Sequence, residues 1–215
     1  AVMPTDHPDV MPTVYPDVTP TVRPVERLTA RAAAITRAEY PEMIPYPSNN
    51  SYEAYEAWRD SVDAQKRELG DISGLQTFFA RSAQTFLTEK PGENRVYSPL
   101  NVYLALSMLA QLTDGDSRGQ ILELLGSESM DGLRRQASDV WNANYRDDGA
   151  LTSVLASSLW LNRDVSFHRD TMDTLARDFY ASSYAGEMGA GGFNKALQSW
   201  LSQQTGGLLA EQAGN

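Results

Sequence analysis

Ser117 lies in the run Gly115-Asp116-Ser117-Arg118-Gly119. That is one letter from the Gly-Asp-Ser-Gly-Gly run around the nucleophile of one class of serine hydrolases. A nucleophilic serine needs a general base within hydrogen-bond reach and a carboxylate that orients the base. The chain has two histidines, His7 and His168. His7 falls among prolines and His168 on a predicted surface helix, so neither is placed to activate Ser117. Hydrolases with such a run are built of strands, whereas the residues around Ser117 read as helix. Ser117 and Gln120 have the Ser-x-x-Gln spacing of a capping box. The apolar "ILELLG" follows, with Gly126 suited to a helix C-terminus. The expected role of Ser117 is therefore a helix cap, and the chain is not expected to be an enzyme.

Other chemistry is thinly represented. Cysteine is absent, which removes disulfides, Cys-zinc sites and thiol catalysis together. Arg134-Arg135 is a basic pair in a polar amphipathic stretch and reads as a solvated face. No second metal ligand accompanies His168, and no cofactor is expected. A net charge of -10 opposes nucleic-acid binding, which needs clustered Lys and Arg. It also opposes adsorption to an anionic membrane. No apolar run is long enough to span a bilayer.

The elements that must carry any function fall into three parts. Residues 1–24 are a tandem repeat of eight, "VMPTDHPD", "VMPTVYPD" and "VTPTVRPV", with proline at 4, 8, 12, 16, 20 and 24. Proline lacks a backbone donor and disfavours helix in the residue before it. The repeat is therefore expected to be extended and polyproline-like. Further prolines at 41, 45 and 47 extend the expected tether over 1–47, packing little against the rest. Such a tether suits an extracellular or cell-surface protein. Residues 48–73 read as a helical extension, with Tyr52, Tyr55, Val62 and Leu69 at roughly helical spacing.

Residues 74–215 carry the stronger patterns. Phe79, Ser82, Ala83, Phe86 and Leu87 form an apolar stripe, and "NRVYSP" is a short β-prone stretch. Ser98 caps a helix with Pro99 in its first turn. The helix "LNVYLALSMLAQL" is apolar nearly all round and should be buried on most sides. A polar helix follows with Leu133, Val140 and Trp141 inward. Residues 151–161, with Val154, Leu155, Leu159, Trp160 and Leu161, read as a central strand packed on both faces. Ser166 is expected to cap a helix with Met172, Leu175, Ala176 and Phe179 inward. "SSYAGEM" is a short strand candidate. In the last helix Phe193, Ala196, Leu197, Trp200 and Leu201 share a face, and Gly206-Gly207 end it.

That order of elements resembles the serpins, over about Leu75 to Leu209. "ENRVYSPLNVYLALSMLAQLTDGDSRGQILELLG" resembles the family's passage from a short strand through Ser-Pro into a buried helix and on through Gly-Asp. "ASSLWLNRDVSFHRDTMDTLARDFYASSY" is similar to its Ser-Ser-Leu-aromatic strand and the helix ending in Phe-Tyr. "LQSWLSQQTGGLL" is similar to its Trp-x-x-x-x-Thr-x-Gly motif, matched at Trp200, Thr205 and Gly207. The resemblance implies an α+β fold, the N-terminal portion of a serpin: N-terminal helices plus strands of a large sheet that opens to admit the protein's own reactive loop. It implies suicide inhibition of serine or cysteine proteases, with a target serine protease as partner. Shutter-like positions would be Asn94, Ser98, Pro99 and Asn101. The loop, hinge and scissile bond are not among these residues, so the chain alone is expected to be inactive, with its own C-terminal fragment as a second partner. A non-inhibitory serpin-like carrier or binding protein is the alternative. The hinge would decide between them.

Overall fold

Ser98 opens the helix around which four of the other helices pack. In the computed structural model, which describes residues 32–48, 51–65, 73–89 and 92–209, helix α3 spans Pro99–Leu112. The Ser98 side chain accepts a hydrogen bond from the Asn101 N–H at 3.4 Å, and proline sits in the first turn, as expected. Tyr103, Leu104, Met108 and Ala110 are buried. Buried Ser107 donates to the Tyr103 carbonyl at 2.8 Å, so its hydroxyl is satisfied. Burial on most sides is not observed. Ala105, Leu109 and Leu112 form one row on the exposed side of the helix.

Helix α2 (Ser73–Thr88) crosses α3. Its stripe is shifted toward its N-terminus relative to the expectation. Leu75 and Phe78 are buried, whereas Leu87 is half exposed. The N-terminal half meets α3, with Phe78 5.8 Å from Tyr103. The C-terminal half runs past it, where Phe86 stacks on Tyr97 at 4.6 Å under the Arg95 guanidinium. The "NRVYSP" stretch is irregular and not a strand. A strand needs a ladder partner, and none is present among the described residues.

Helix α4 (Gly115–Leu125) corrects the reading of Ser117. Asp114 is its N-cap residue and makes no side-chain cap bond, while Ser117 lies inside the first turn, exposed. The register is set from behind. Arg118 Nε donates to the Ala110 carbonyl at the end of α3 at 3.1 Å, and Arg118 N–H donates to Asp114 O at 3.3 Å. Docking Arg118 on α3 turns Ser117 outward. The C-terminus ends as expected. Gly126 is left-handed (φ 67°), its N–H bonds to Glu123 O, and Ser127 N–H bonds to Leu122 O at 2.9 Å. Gly74 abuts the same turn, where a Cβ would stand 2.5 Å from Gly126 O. Ser117→Ala is therefore expected to change stability by less than about 0.5 kcal/mol, and Ser98→Ala to cost about 1 kcal/mol. Paired urea titrations check this, and a larger effect at Ser117 would contradict the assigned register.

Helix α5 (Met130–Asn144) is capped by Ser129, which accepts from Gly132 N–H, and buries Leu133, Ala137, Val140 and Trp141. The Arg134 guanidinium pairs with Asp131, and Arg135 Nε donates to Asp131 O. Trp141 lies in an aromatic stack with Tyr180 at 3.9 Å, Tyr145 at 4.5 Å and Tyr40 at 5.3 Å. Tyr180 has φ +52°, uncommon for a bulky residue. The stack and the hydrogen bonds of its hydroxyl to Asn142 and Ser138 hold it there.

The sheet contains β1 (Ala32–Thr36), β4 (Ser157–Asn162) and β5 (Ala181–Gly186), in the order β1-β5-β4. β4 and β5 are parallel, joined by α6 (Arg169–Asp178), and β1 is antiparallel to β5. The strand expected over 151–161 is packed on both faces as expected, but it begins only at Ser157. β4 is half-buried along its length and lies at an edge among the described residues, while the fully paired strand is β5. Small residues let β5 sit between two neighbours, and its burial follows from that position. Helix α6 begins at Arg169 with His168 as its N-cap residue, and neither Ser166 nor His168 supplies a side-chain cap. Met172, Leu175, Ala176 and Phe179 are buried as expected.

The expected tether is corrected over 32–47, while residues 1–31 lie outside the described residues. β1 pairs with β5, and the chain then runs extended across the body. Ala38 N–H donates to Ser182 Oγ at 3.0 Å, Glu39 N–H to Ala176 O at 3.0 Å and Tyr46 N–H to Asp148 O at 2.7 Å. Burial, with Tyr145 and Tyr184 nearby, pushes the Tyr40 hydroxyl up to about 12. Prolines at 41 and 45 are compatible because the segment is extended and contributes its ladder bonds elsewhere. Helix α1 (Tyr52–Gln65) packs on this segment, with no fully buried residue. Trp58 Nε1 donates to Ile44 O at 3.1 Å, and the Tyr46 and Trp58 rings meet edge-on at 5.1 Å.

A short hairpin, β2 (Arg146–Asp147) with β3 (Thr152–Ser153), receives the far end of the segment. Its turn is organised by the buried Asp148 carboxylate. One oxygen accepts from Ala150 and Leu151 N–H at 2.9 Å each, and the other pairs with Arg146. Burial pushes this carboxyl up, but Arg146 and the Leu151 and Ala150 N–H groups outweigh it and hold it below its ordinary 3.8. A lowered folded value means that the stabilisation is complete above the unfolded value and is lost as pH falls through the folded one. Stability is therefore expected to fall below about pH 4. Asp148→Asn should cost about 1–3 kcal/mol at neutral pH and flatten that acid limb. Urea midpoints across pH check this, and an unchanged acid limb would contradict it.

Candidate functional site

The face with the potential to act on another chain is the sheet, and its geometry follows from strand alternation. Successive β4 side chains point to opposite faces. Leu159 and Leu161 pack into the main core with the helices. Trp160 points the other way, toward α7 (Gly191–Gln204). Its ring stacks on Tyr184 of β5 at 4.4 Å and meets Phe193 of α7 edge-on at 5.4 Å. Its Nε1 donates to Ser158 Oγ at 2.8 Å, which satisfies the indole without a partner from another element. Ala32 of β1 joins Phe193 and Ala196 in this second small core. The sheet thus lies between the helical core and α7.

The outer edge of β4 pairs with no strand among the described residues. Six residues of one strand therefore present a row of backbone donors and acceptors. Such an edge is a template for another strand. The flanking layers bury its two faces partway, so an added strand would enter a partly formed core.

The positions singled out from sequence fall in two places. Ser98 and Asn101 meet only through the cap bond, Pro99 is the first residue of α3, and Asn94, Ser98 and Asn101 are exposed. The motif on α7 is compact. Trp200 is buried, Thr205 Oγ1 donates to Leu201 O at 2.8 Å and accepts from Leu209 N–H at 3.1 Å, and Gly207 has φ 85°. These residues close the helix and turn the chain out of it. Leu197 is half-buried and Leu201 exposed, so the buried face is narrower than expected. Ser117 and His168 are both exposed on separate helices, α4 and the start of α6. Sequence reading missed β1. Its "AAAIT" has little β-propensity, and the nearby prolines masked the one period-2 signal.

Among the described residues no group of three or more His, Cys, Asp or Glu is placed to hold a metal ion. No helix there is long and apolar enough to cross a membrane.

The comparisons agree on one family. The family model Serpin, described as serine protease inhibitor, matches residues 73–212. Serpin-Z2B of rice (Oryza sativa subsp. japonica) is 26% identical over 149 residues, covering 67% of this chain and 34% of that protein. Serpin-ZX of Arabidopsis thaliana is 25% identical over 129 residues, covering 58% of this chain and 33% of that protein. The solved structure of Arabidopsis AtSerpin1 in its native stressed conformation matches with a TM-score of 0.53 at 22% identity, covering 63% of this chain and 36% of that one. The chain spans about a third of the length of the curated relatives it matches.

Proposed function

The chain belongs to the serpin family, and from that premise we propose that the complete protein inhibits serine or cysteine proteases as a suicide substrate. The observation that carries this reading is the edge of β4 that pairs with no strand among the described residues, held between the helical core and α7. A sheet built to take up further strands needs such an edge, with both faces already lined. In this reading a protease attacks a loop outside the portion represented here and forms an acyl-enzyme. The loop then enters the sheet as a strand and distorts the enzyme before water completes the cut. The strain is held in a bistable body. The partners are a target protease and the remaining part of the same protein. The proline repeat at residues 1–24 supports an extracellular or surface-tethered setting.

The test uses the complete protein with trypsin, chymotrypsin, elastase and papain. The expected result is a complex with at least one of them that survives denaturing electrophoresis, and none with the 215-residue chain alone. Cleavage by all four without a stable complex would sink the inhibitory reading and favour a non-inhibitory carrier.

A further inference from the structure

Residues 32–46 lie outside the family-matched 73–212, yet they touch nearly every layer of the matched body. β1 covers the β5 edge in a ladder from Ala32↔Gly186 to Thr36↔Ser183, with an irregularity between Ala34 and Thr36. Ala32 packs against Phe193 and Ala196 on one side, and Ile35 against the main core on the other. β1 thus fastens α7 and the helical core to the same strand. The next residues bind α6. Thr36 Oγ1 donates to Met172 O at 3.4 Å, and Glu39 N–H takes the Ala176 carbonyl. Ala176 is in the last turn of α6, where carbonyls lack a helical partner. Arg169 at the other end of α6 reaches back to Ile35 O at 3.2 Å. Tyr40 then enters the Trp141 stack of α5, and Tyr46 reaches Asp148 in the hairpin.

The ladder itself is weak. Three of its five residues are alanine, which pack little surface and have low β-propensity. The firm points are the Tyr40 ring and the hydrogen bonds from Ala38 and Glu39, all beyond the strand. A short strand held mainly by its flank leaves as a unit when that flank is released, because the ladder alone does not hold it.

We propose that residues 32–46 are a latch that holds the sheet on its helices, with Tyr40 as its catch, so that releasing Tyr40 frees the β5 edge and loosens β5 from α6 and α5. Only its consequence rests on the loop-insertion reading: a sheet latched to its helices parts more slowly, so the latch brakes insertion.

The experiment uses the complete protein and two variants, Tyr40→Ala and Glu39→Pro. The first takes one ring out of the stack, and the second removes one donor with little change in volume, so a folding failure of the first leaves the second. Amide hydrogen exchange is read over 181–186, with α3 residues 103–110 as the internal reference. Exchange in β5 is expected to rise at least about tenfold with the α3 amides unchanged, as for a local opening unit. The rate of forming a denaturation-resistant complex with trypsin, chymotrypsin and elastase is expected to rise in the same variants. Unchanged β5 exchange in both variants would overturn the latch. Faster β5 exchange with an unaltered trapping rate would overturn the brake. Faster β5 exchange with no trapping by any form, wild type included, would support the latch and sink only the inhibitory reading.

Discussion

Trp141→Ala is expected to destabilise the protein by about 3–5 kcal/mol, in the range for emptying a buried aromatic site. Trp141 is fully buried, and three tyrosine rings from three parts of the chain lie against it. Its Nε1 also donates to the Leu155 carbonyl at 2.9 Å, ahead of β4. Removing the indole leaves that carbonyl without its donor and takes away the surface on which Tyr180 holds its left-handed backbone. Single domains have roughly 5–15 kcal/mol of stability in all, so a large share of it goes in one change. Denaturant titration with near-ultraviolet circular dichroism reads the loss. Trp141→Phe keeps a ring in the stack and loses the hydrogen bond, and should cost about 1–3 kcal/mol. If alanine costs no more than phenylalanine, the stack is not the keystone described.

The second large effect concerns association. The 215-residue chain on its own is expected to self-associate. The β4 edge offers six residues without a ladder partner among the described residues. Leu109 and Leu112 on α3, with Val96 before it and Leu208 after α7, are exposed. An open edge is a template for a second copy, and exposed apolar side chains add to the contact. Sedimentation velocity should show a coefficient that rises with concentration, accompanied by binding of an apolar dye. The complete protein should run as a single monomer. A monomer at every concentration from the 215-residue chain would mean that the β4 edge is covered or too short to template a neighbour.

What could be read from the sequence was what a few adjacent residues decide. Ser98-Pro99 announced the start of α3, Gly126 the end of α4, and Gly206-Gly207 the end of α7, because caps and left-handed turns are local. The inward faces of α5 and α6 followed from helical periodicity. The Ser117 cap failed although its pattern was intact, since the register of α4 comes from Arg118 docking on the preceding helix. The order of the strands among the described residues was not legible for a similar reason. "SSLWL" is more apolar than "ASSYAG", yet β5 is the buried strand because it has two neighbours. Periodicity reports what a side chain prefers, and sheet order decides what it receives. The latch was hidden because its anchors, Tyr40 and two backbone N–H groups, meet partners about 100 or more residues away.

The pairing of β1 with β5 also sets a timetable for synthesis. Thr36 faces Ser183, so β1, the first strand among the described residues, needs a partner translated about 150 residues later. At roughly 5–20 residues per second that is a wait of about 7–30 s. Helices α2 to α5 contact one another at short sequence distance and can form meanwhile. The Trp141 stack cannot be completed until Tyr180 arrives, one residue before β5 itself. The nascent protein therefore carries a waiting strand, and an apolar, β-branched one would invite its neighbours on a polysome to pair. "AAAIT" is poor at that, and its weakness in the finished sheet is what makes it safe while the rest of the chain is being made.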